Sequence, residues 1–163
     1  MNTFRFASAL LLGATLSMTA CKKESASEFE QENAPYTAQF NFKTKSQTLA
    51  QSADGKPYAK VVVEGTGSFS FAGDVTFTDE FDYGVTTGLG LHKATYTTSS
   101  GDKIYTAMTT QVQVGQSNIT GTTTFTGGTG KFAKIKGSSP NVGPKPGATG
   151  EGSWKEEGGK VTF

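Results

Sequence analysis

The apolar residues of this chain recur at every second position, and no long stripe repeats every third or fourth. That period belongs to strands with one face buried. "YTAQFNF" (36–42) sets Tyr36, Ala38, Phe40 and Phe42 on one face, and "SFSF" (68–71) sets Phe69 and Phe71 against serines. "VTFTDEF" (75–81) aligns Val75, Phe77 and Phe81, and "LHKATYTT" (91–98) is a strand with two mixed faces. "KIYTAMTTQVQV" (103–114) aligns Ile104, Met108, Val112 and Val114. "NITGTTTFT" (118–126) turns Ile119 and Phe125 inward and a ladder of Thr120, Thr122, Thr124 and Thr126 outward. "GEGSWKEEGGKVTF" (150–163) reads as a closing hairpin around Gly158 and Gly159. Glycine-rich breaks separate these stretches. The expectation is an all-β domain, a single antiparallel barrel of about eight strands, the size at which side chains just fill the interior or one small ligand fits. A two-sheet β-sandwich is the alternative. The expected barrel interior comprises Phe40, Phe69, Phe71, Phe77, Met108 and Phe125, with Trp154 in the closing strand.

"TFTGGTGKFAKIKG" (124–137) looks at first like a phosphate cradle. A P-loop needs G-x-x-x-x-G-K-[ST]. Gly130 and Lys131 fit, but Phe125 stands at the first glycine and Phe132 replaces the magnesium-binding hydroxyl. A dinucleotide fingerprint would need a long helix afterwards, and "GSSPNVGPKPGATG" breaks any helix. The spacing suits a structural turn instead. Gly127, Gly128 and Gly130 allow positive φ and a tight reversal. Phe132 and Ile135, three apart, fit one helical turn with both side chains entering the barrel end. Lys131, Lys134 and Lys136 then face solvent, and Gly137 releases the chain into the next strand.

"GGTGKFAKIKG" resembles the GGTG-x-F-x-G-A-x-G segment of the allene oxide cyclase and dirigent-like barrels, which small secreted bacterial proteins also carry. "GTGSFSFAG" (65–73) resembles their early glycine-rich strand, "LHKATYTTSSGDKIYTA" (91–107) their strand–turn–strand, and "GATGEGSW" (147–154) their closing strand. These segments span most of residues 59–155 in order. Lys134 and Ile135 depart from the family's glycine and alanine. The resemblance implies a barrel. Its plant members act on reactive small molecules within or at the mouth of the barrel, and none of their polar site residues is carried over to a position of this chain.

The chain opens with Arg5, the apolar run "FASALLLGATLSM" and "TAC". That is the layout of a secretory signal peptide, too short to span a membrane. "LSMTAC" resembles the lipobox of bacterial lipoproteins, implying cleavage between Ala20 and Cys21 and lipidation of Cys21, the only cysteine. The expected organisation is a lipoprotein signal peptide (1–20), a flexible tether (21–34) and a barrel domain (35–163). The tether "KKESASEFEQENAP" is charged and nearly free of apolar residues, so it cannot offset its ordering entropy. The expected location is the bacterial cell envelope, as an outer-membrane lipoprotein held to the membrane by acyl chains, each buried CH₂ contributing about 0.8 kcal/mol.

Arg5 is the only arginine, so the segment after residue 20 carries fourteen lysines against fourteen acidic residues. A neutral chain without arginine is a poor nucleic-acid binder. One histidine, His92, permits no His-based metal cluster, and no G-x-S-x-G elbow occurs. No cofactor and no metal are expected. His92 reads as an exposed strand residue, and Asp79, Glu80 and Asp82 as an acidic strand end. No catalytic residue is assigned. Three functions remain open: a lipid-anchored barrel binding a small apolar ligand, ranked first on its inward phenylalanines; a surface-acting inhibitor or assembly partner; and an enzyme of the cyclase or dirigent kind.

Overall fold

A computed structural model describes residues 32–112 and 115–163. Eight strands run in chain order around a closed barrel: β1 (Ala34–Gln51), β2 (Pro57–Phe69), β3 (Gly73–Gly84), β4 (Leu89–Thr98), β5 (Lys103–Val112), β6 (Asn118–Gly128), β7 (Lys136–Pro144) and β8 (Glu151–Thr162). Every neighbouring pair is antiparallel, and β8 closes on β1. The barrel, not the sandwich, is therefore the fold. A closed antiparallel meander suits this sequence because most strands are polar on one face and each is joined to the next in the chain by a short connection, which leaves no free edge.

Alternation along each strand decides what lies inside. Phe40 stands opposite Gly67 on β2 and Trp154 on β8. A Cβ at Gly67 would come within 2.2 Å of the Phe40 ring, so the missing side chain is what seats that ring. Phe40 packs against Phe69, Phe77, Tyr96 and Trp154 with ring centroids 4.8–5.6 Å apart. Phe69 continues the stack to Phe125 and Tyr36. Such pairs add about 0.5–1.5 kcal/mol each beyond their buried area. Outside, Thr76, Thr78, Thr120, Thr122, Thr124 and Thr126 are exposed. An apolar interior within a threonine exterior is the reverse of a membrane-spanning barrel.

The two ends differ. At one, β6 runs into a single 3-10 turn, Gly130–Phe132, which brings Phe132 and Ile135 into the barrel, both fully buried. Phe71, Phe132 and Phe163 meet there at 5.5–6.0 Å and close that end. The opposite end carries the turns at 52–56, 85–88 and 145–150 and stays open.

Three local expectations change. β2 ends at Phe69, so Phe71 belongs to the following turn and plugs the closed end, half-buried, rather than continuing the strand face. Residues 150–163 form no hairpin. Gly158 adopts φ +74° within the continuous strand β8, whose register slips against β1 and β7 and resumes. That pattern marks a β-bulge, which a glycine pair favours as readily as a turn. Gly128 does not take positive φ, whereas Gly127 (+143°), Gly130 (+54°) and Gly137 (+135°) do.

Candidate functional site at the open end of the barrel

Three adjacent strands meet diagonally near the open end. His92 on β4 lies level with Phe81 on β3 and Met108 on β5. Asp79 sits one inward position below Phe81, and Thr110 one inward position above Met108. Diagonal neighbours in a sheet are too far apart for short side chains to touch. The imidazole spans both gaps: its Nδ1 lies 2.7 Å from Asp79 Oδ2 and its Nε2 lies 2.9 Å from Thr110 Oγ1. Phe81 stacks on the ring, with centroids 4.2 Å apart and planes 22° off parallel. In the neutral imidazole, Nδ1–H donates to the carboxylate and Nε2 accepts the hydroxyl hydrogen of Thr110. Gly90 lies across the ladder from Thr110. A Cβ there would stand 2.4 Å from Thr110 Oγ1 and 2.7 Å from His92 Nε2, so only glycine leaves room for this hydrogen bond.

His92 and Thr110 form part of the wall of a cavity of about 90 Å³ that opens at this end. The rest of the wall is largely apolar, with Phe42, Phe81, Tyr83, Val112, Ile119 and Trp154 prominent. Two larger concavities, about 910 and 570 Å³, lie across β1–β4, the larger reaching Glu151 and Gly152 on β8 and Lys103 on β5, among threonines, charged side chains and the rings of Phe42 and Phe77.

Deeper in the barrel stands a second polar group. Glu156 on β8 is fully buried. Tyr36 Oη donates to its Oε2 and Thr123 Oγ1 to its Oε1, both at 2.8 Å, and Asn141 Nδ2 donates to Thr123 Oγ1 at 3.0 Å. Burial pushes the Glu156 carboxyl above the usual carboxylate range, while the hydrogen bonds from Thr123 and Tyr36 and the nearby Trp154 indole hold it down in part. The Trp154 N–H itself meets no acceptor at hydrogen-bond distance. Burial, and then the Glu156 charge, push the Tyr36 and Tyr96 phenols upward. Asp79 Oδ1, Tyr96 Oη and Thr106 Oγ1 are also buried without a partner.

Among the residues expected to face inward, Phe40, Phe69, Phe77, Met108 and Phe125 are buried. Trp154 is half-buried and does two things, packing on Phe40, Phe42 and Phe77 and lining the cavity. The glycine turn lies at the closed end, away from this site. Asp102 Oδ1 is the nearest atom to the Gly130 Cβ position, so the turn faces a carboxylate where a phosphate cradle would be free of negative charge. Lys131, Lys134 and Lys136 are exposed. Ala20 and Cys21 lie outside the described residues.

The expectation of an exposed His92 is overturned: its side chain is 10 % exposed. β4 carries apolar residues on both faces, and it is Leu91, 56 % exposed, that points outward. Asp79 likewise leaves the acidic strand end and turns inward, while Glu80 and Asp82 stay exposed. The signal that locates these groups is parity. Asp79 falls in step with Val75, Phe77 and Phe81; Thr110 with Ile104 and Met108; Glu156 with Trp154. No group of three or more metal-ligating side chains occurs among the described residues. Comparison of the chain with protein-family models, curated proteins and solved structures finds no match.

Proposed function

We propose that this protein is a lipid-anchored envelope barrel that takes a small apolar ligand at its open end. The cavity beside Trp154 carries this reading. Its volume of about 90 Å³ is well below the roughly 300–1,000 Å³ of pockets that enclose drug-sized ligands. It suits a single ring or the terminal segment of a longer apolar molecule, with Thr110 Oγ1, which donates to His92, able to accept from a polar group on that molecule. The resemblance to secreted cyclase-like barrels supports the same location, and the lipobox-like "LSMTAC" supports the anchor. The rival reading, a surface-acting inhibitor or assembly partner, draws on exposed Val85, Leu89 and Leu91, which lie in and just after the turn into β4.

Trp154 is the only tryptophan and reports directly on the cavity. Titrating the full-length protein with alkylbenzenes of increasing chain length should give a saturable change in its fluorescence. Ile119→Phe, which fills the cavity, should abolish that change. A fluorescence signal that never saturates with any alkylbenzene refutes the binding reading.

A further inference from the structure

We propose that Asp79, His92 and Thr110 form an acyl-transfer relay, in which Thr110 Oγ1 attacks the carbonyl carbon of a small apolar ester held in the open-end cavity. The proposal rests on the binding reading above and assigns that site a reaction class. Three features carry it. First, the order of contacts is carboxylate, imidazole, hydroxyl, with separations of 2.7 and 2.9 Å, both within the reach that a nucleophile, its base and the group orienting the base require. Second, the carboxylate has no other employment. Asp79 is buried, its Oδ2 meets only His92, and its Oδ1 meets nothing. Its charge is therefore directed at the imidazole that gains a proton when Thr110 reacts. Third, the reactive end of the relay lies at the cavity and the carboxylate end does not: His92 and Thr110 line the wall, and Asp79 stands behind them.

A purely structural role accounts poorly for this arrangement. Burying a carboxylate and an imidazole among apolar side chains generally gains no stability over an apolar replacement of similar volume. It also constrains Gly90, whose bare α-carbon the His92–Thr110 hydrogen bond requires.

The step balances as follows. The Thr110 oxygen forms a bond to the ester carbonyl carbon as its proton passes to His92 Nε2. The tetrahedral adduct collapses, the bond from that carbon to the leaving alkoxide breaks, and His92 returns the proton to the departing alcohol. Water then attacks the threonyl ester, giving up its proton to His92, which passes it to Thr110. Asp79 is a positioning residue, holding the ring by Nδ1. The backbone N–H groups flanking Thr110 are engaged in the β4 and β6 ladders. Each absent oxyanion donor forgoes about 10²–10³ in rate. The substrates are therefore expected to be activated esters with good leaving groups, and the acylated threonine should accumulate.

The test uses the full-length protein and p-nitrophenyl butyrate. Mass spectrometry of the digested protein should find a butyryl group on the peptide carrying Thr110. Thr110→Val, which keeps the shape and removes the hydroxyl, should lack the adduct, and Thr110→Ser should retain it. His92→Gln should slow its formation by about 10²–10⁴-fold, the usual contribution of a general base. Circular dichroism identifies any variant that fails to fold, and the adduct on the unaltered protein is decisive without the variants. Butyryl groups confined to lysines, or p-nitrophenol release equal in wild type and Thr110→Val, overturn the relay. In parallel, unreactive propylbenzene is titrated against Trp154 fluorescence. Saturable binding without acylation overturns the relay and leaves the binding site standing, whereas absence of both removes the binding site as well.

Discussion

Replacing Gly130 with alanine should destabilise the barrel by about 1.5–3.5 kcal/mol, from two separable causes. The first is backbone strain. Gly130 holds φ +54° at the start of the 3-10 turn, and a side chain in the left-handed region costs about 1–2 kcal/mol. The second is a collision. The new Cβ would lie 2.6 Å from Asp102 Cγ and closer still to its Oδ1. The Asp102 side chain can swing away only by giving up the hydrogen bond that Ser100 Oγ donates to its Oδ2 at 3.1 Å, a loss of about 0.5–1.5 kcal/mol. For a domain of this size each kcal/mol lowers Tm by roughly 3–5 °C, so the melt of Gly130→Ala should fall by roughly 5–15 °C. Introducing the same change into Asp102→Ala removes the collision and should leave only the backbone cost. Chemical denaturation of the four proteins closes the cycle. A Gly130→Ala variant within about 0.5 kcal/mol of wild type would refute the need for positive φ. An undiminished loss in the Asp102→Ala background would refute the collision.

Three further outcomes are expected. The Glu156 carboxyl holds its proton more tightly folded than unfolded, because burial raises its pKa; its contribution to stability is therefore greatest at acid pH and is lost as pH rises from the ordinary carboxylate range through the raised folded value. Unfolding curves across that range should show Glu156→Gln gaining stability relative to wild type as pH increases, and a constant difference would count against the buried acid. Phe69→Ala should lose about 3–5 kcal/mol in denaturant unfolding, since Phe69 is buried against Phe40, Phe71, Tyr96 and Phe125, whereas Thr124→Ala, on the outer face, should stay within about 0.5 kcal/mol. Cells fed a fatty-acid analogue should label the wild-type protein and not Cys21→Ser, with equal labelling of the two excluding the lipid anchor.

What the sequence makes legible here follows from how barrels are built. Period-two alternation in β1, β3 and β6 has a single possible reading, because only one face of each carries phenylalanine. The inward positions of Phe40, Phe77 and Phe125 follow from it, and the glycine-rich breaks between such stretches give the strand count. β4 is different. Its two faces carry Leu89 and Leu91 against Ala94 and Tyr96, and hydrophobicity alone assigns neither to the interior. Which face turns in is fixed only by the pairing of His92 with Phe81 and Met108, a relation between strands that no single strand contains. The polar groups of the interior were hidden for a second reason. Composition treats Asp79 and Glu156 as surface charges, since a buried carboxylate is normally excluded. Their strands nevertheless place them in step with Phe77 and Trp154, and a carboxylate on inward parity has to find a partner inside the barrel. Glu156 finds Tyr36 and Thr123; Asp79 finds His92. Those partners come from strands distant in the chain for Glu156 and adjacent for Asp79, so no motif of fixed spacing describes both. A chain of this class is thus best searched for chemistry by the polar residues that fall out of pattern on inward parity, and in this barrel that search leads to the open end, where His92 and Thr110 line the cavity.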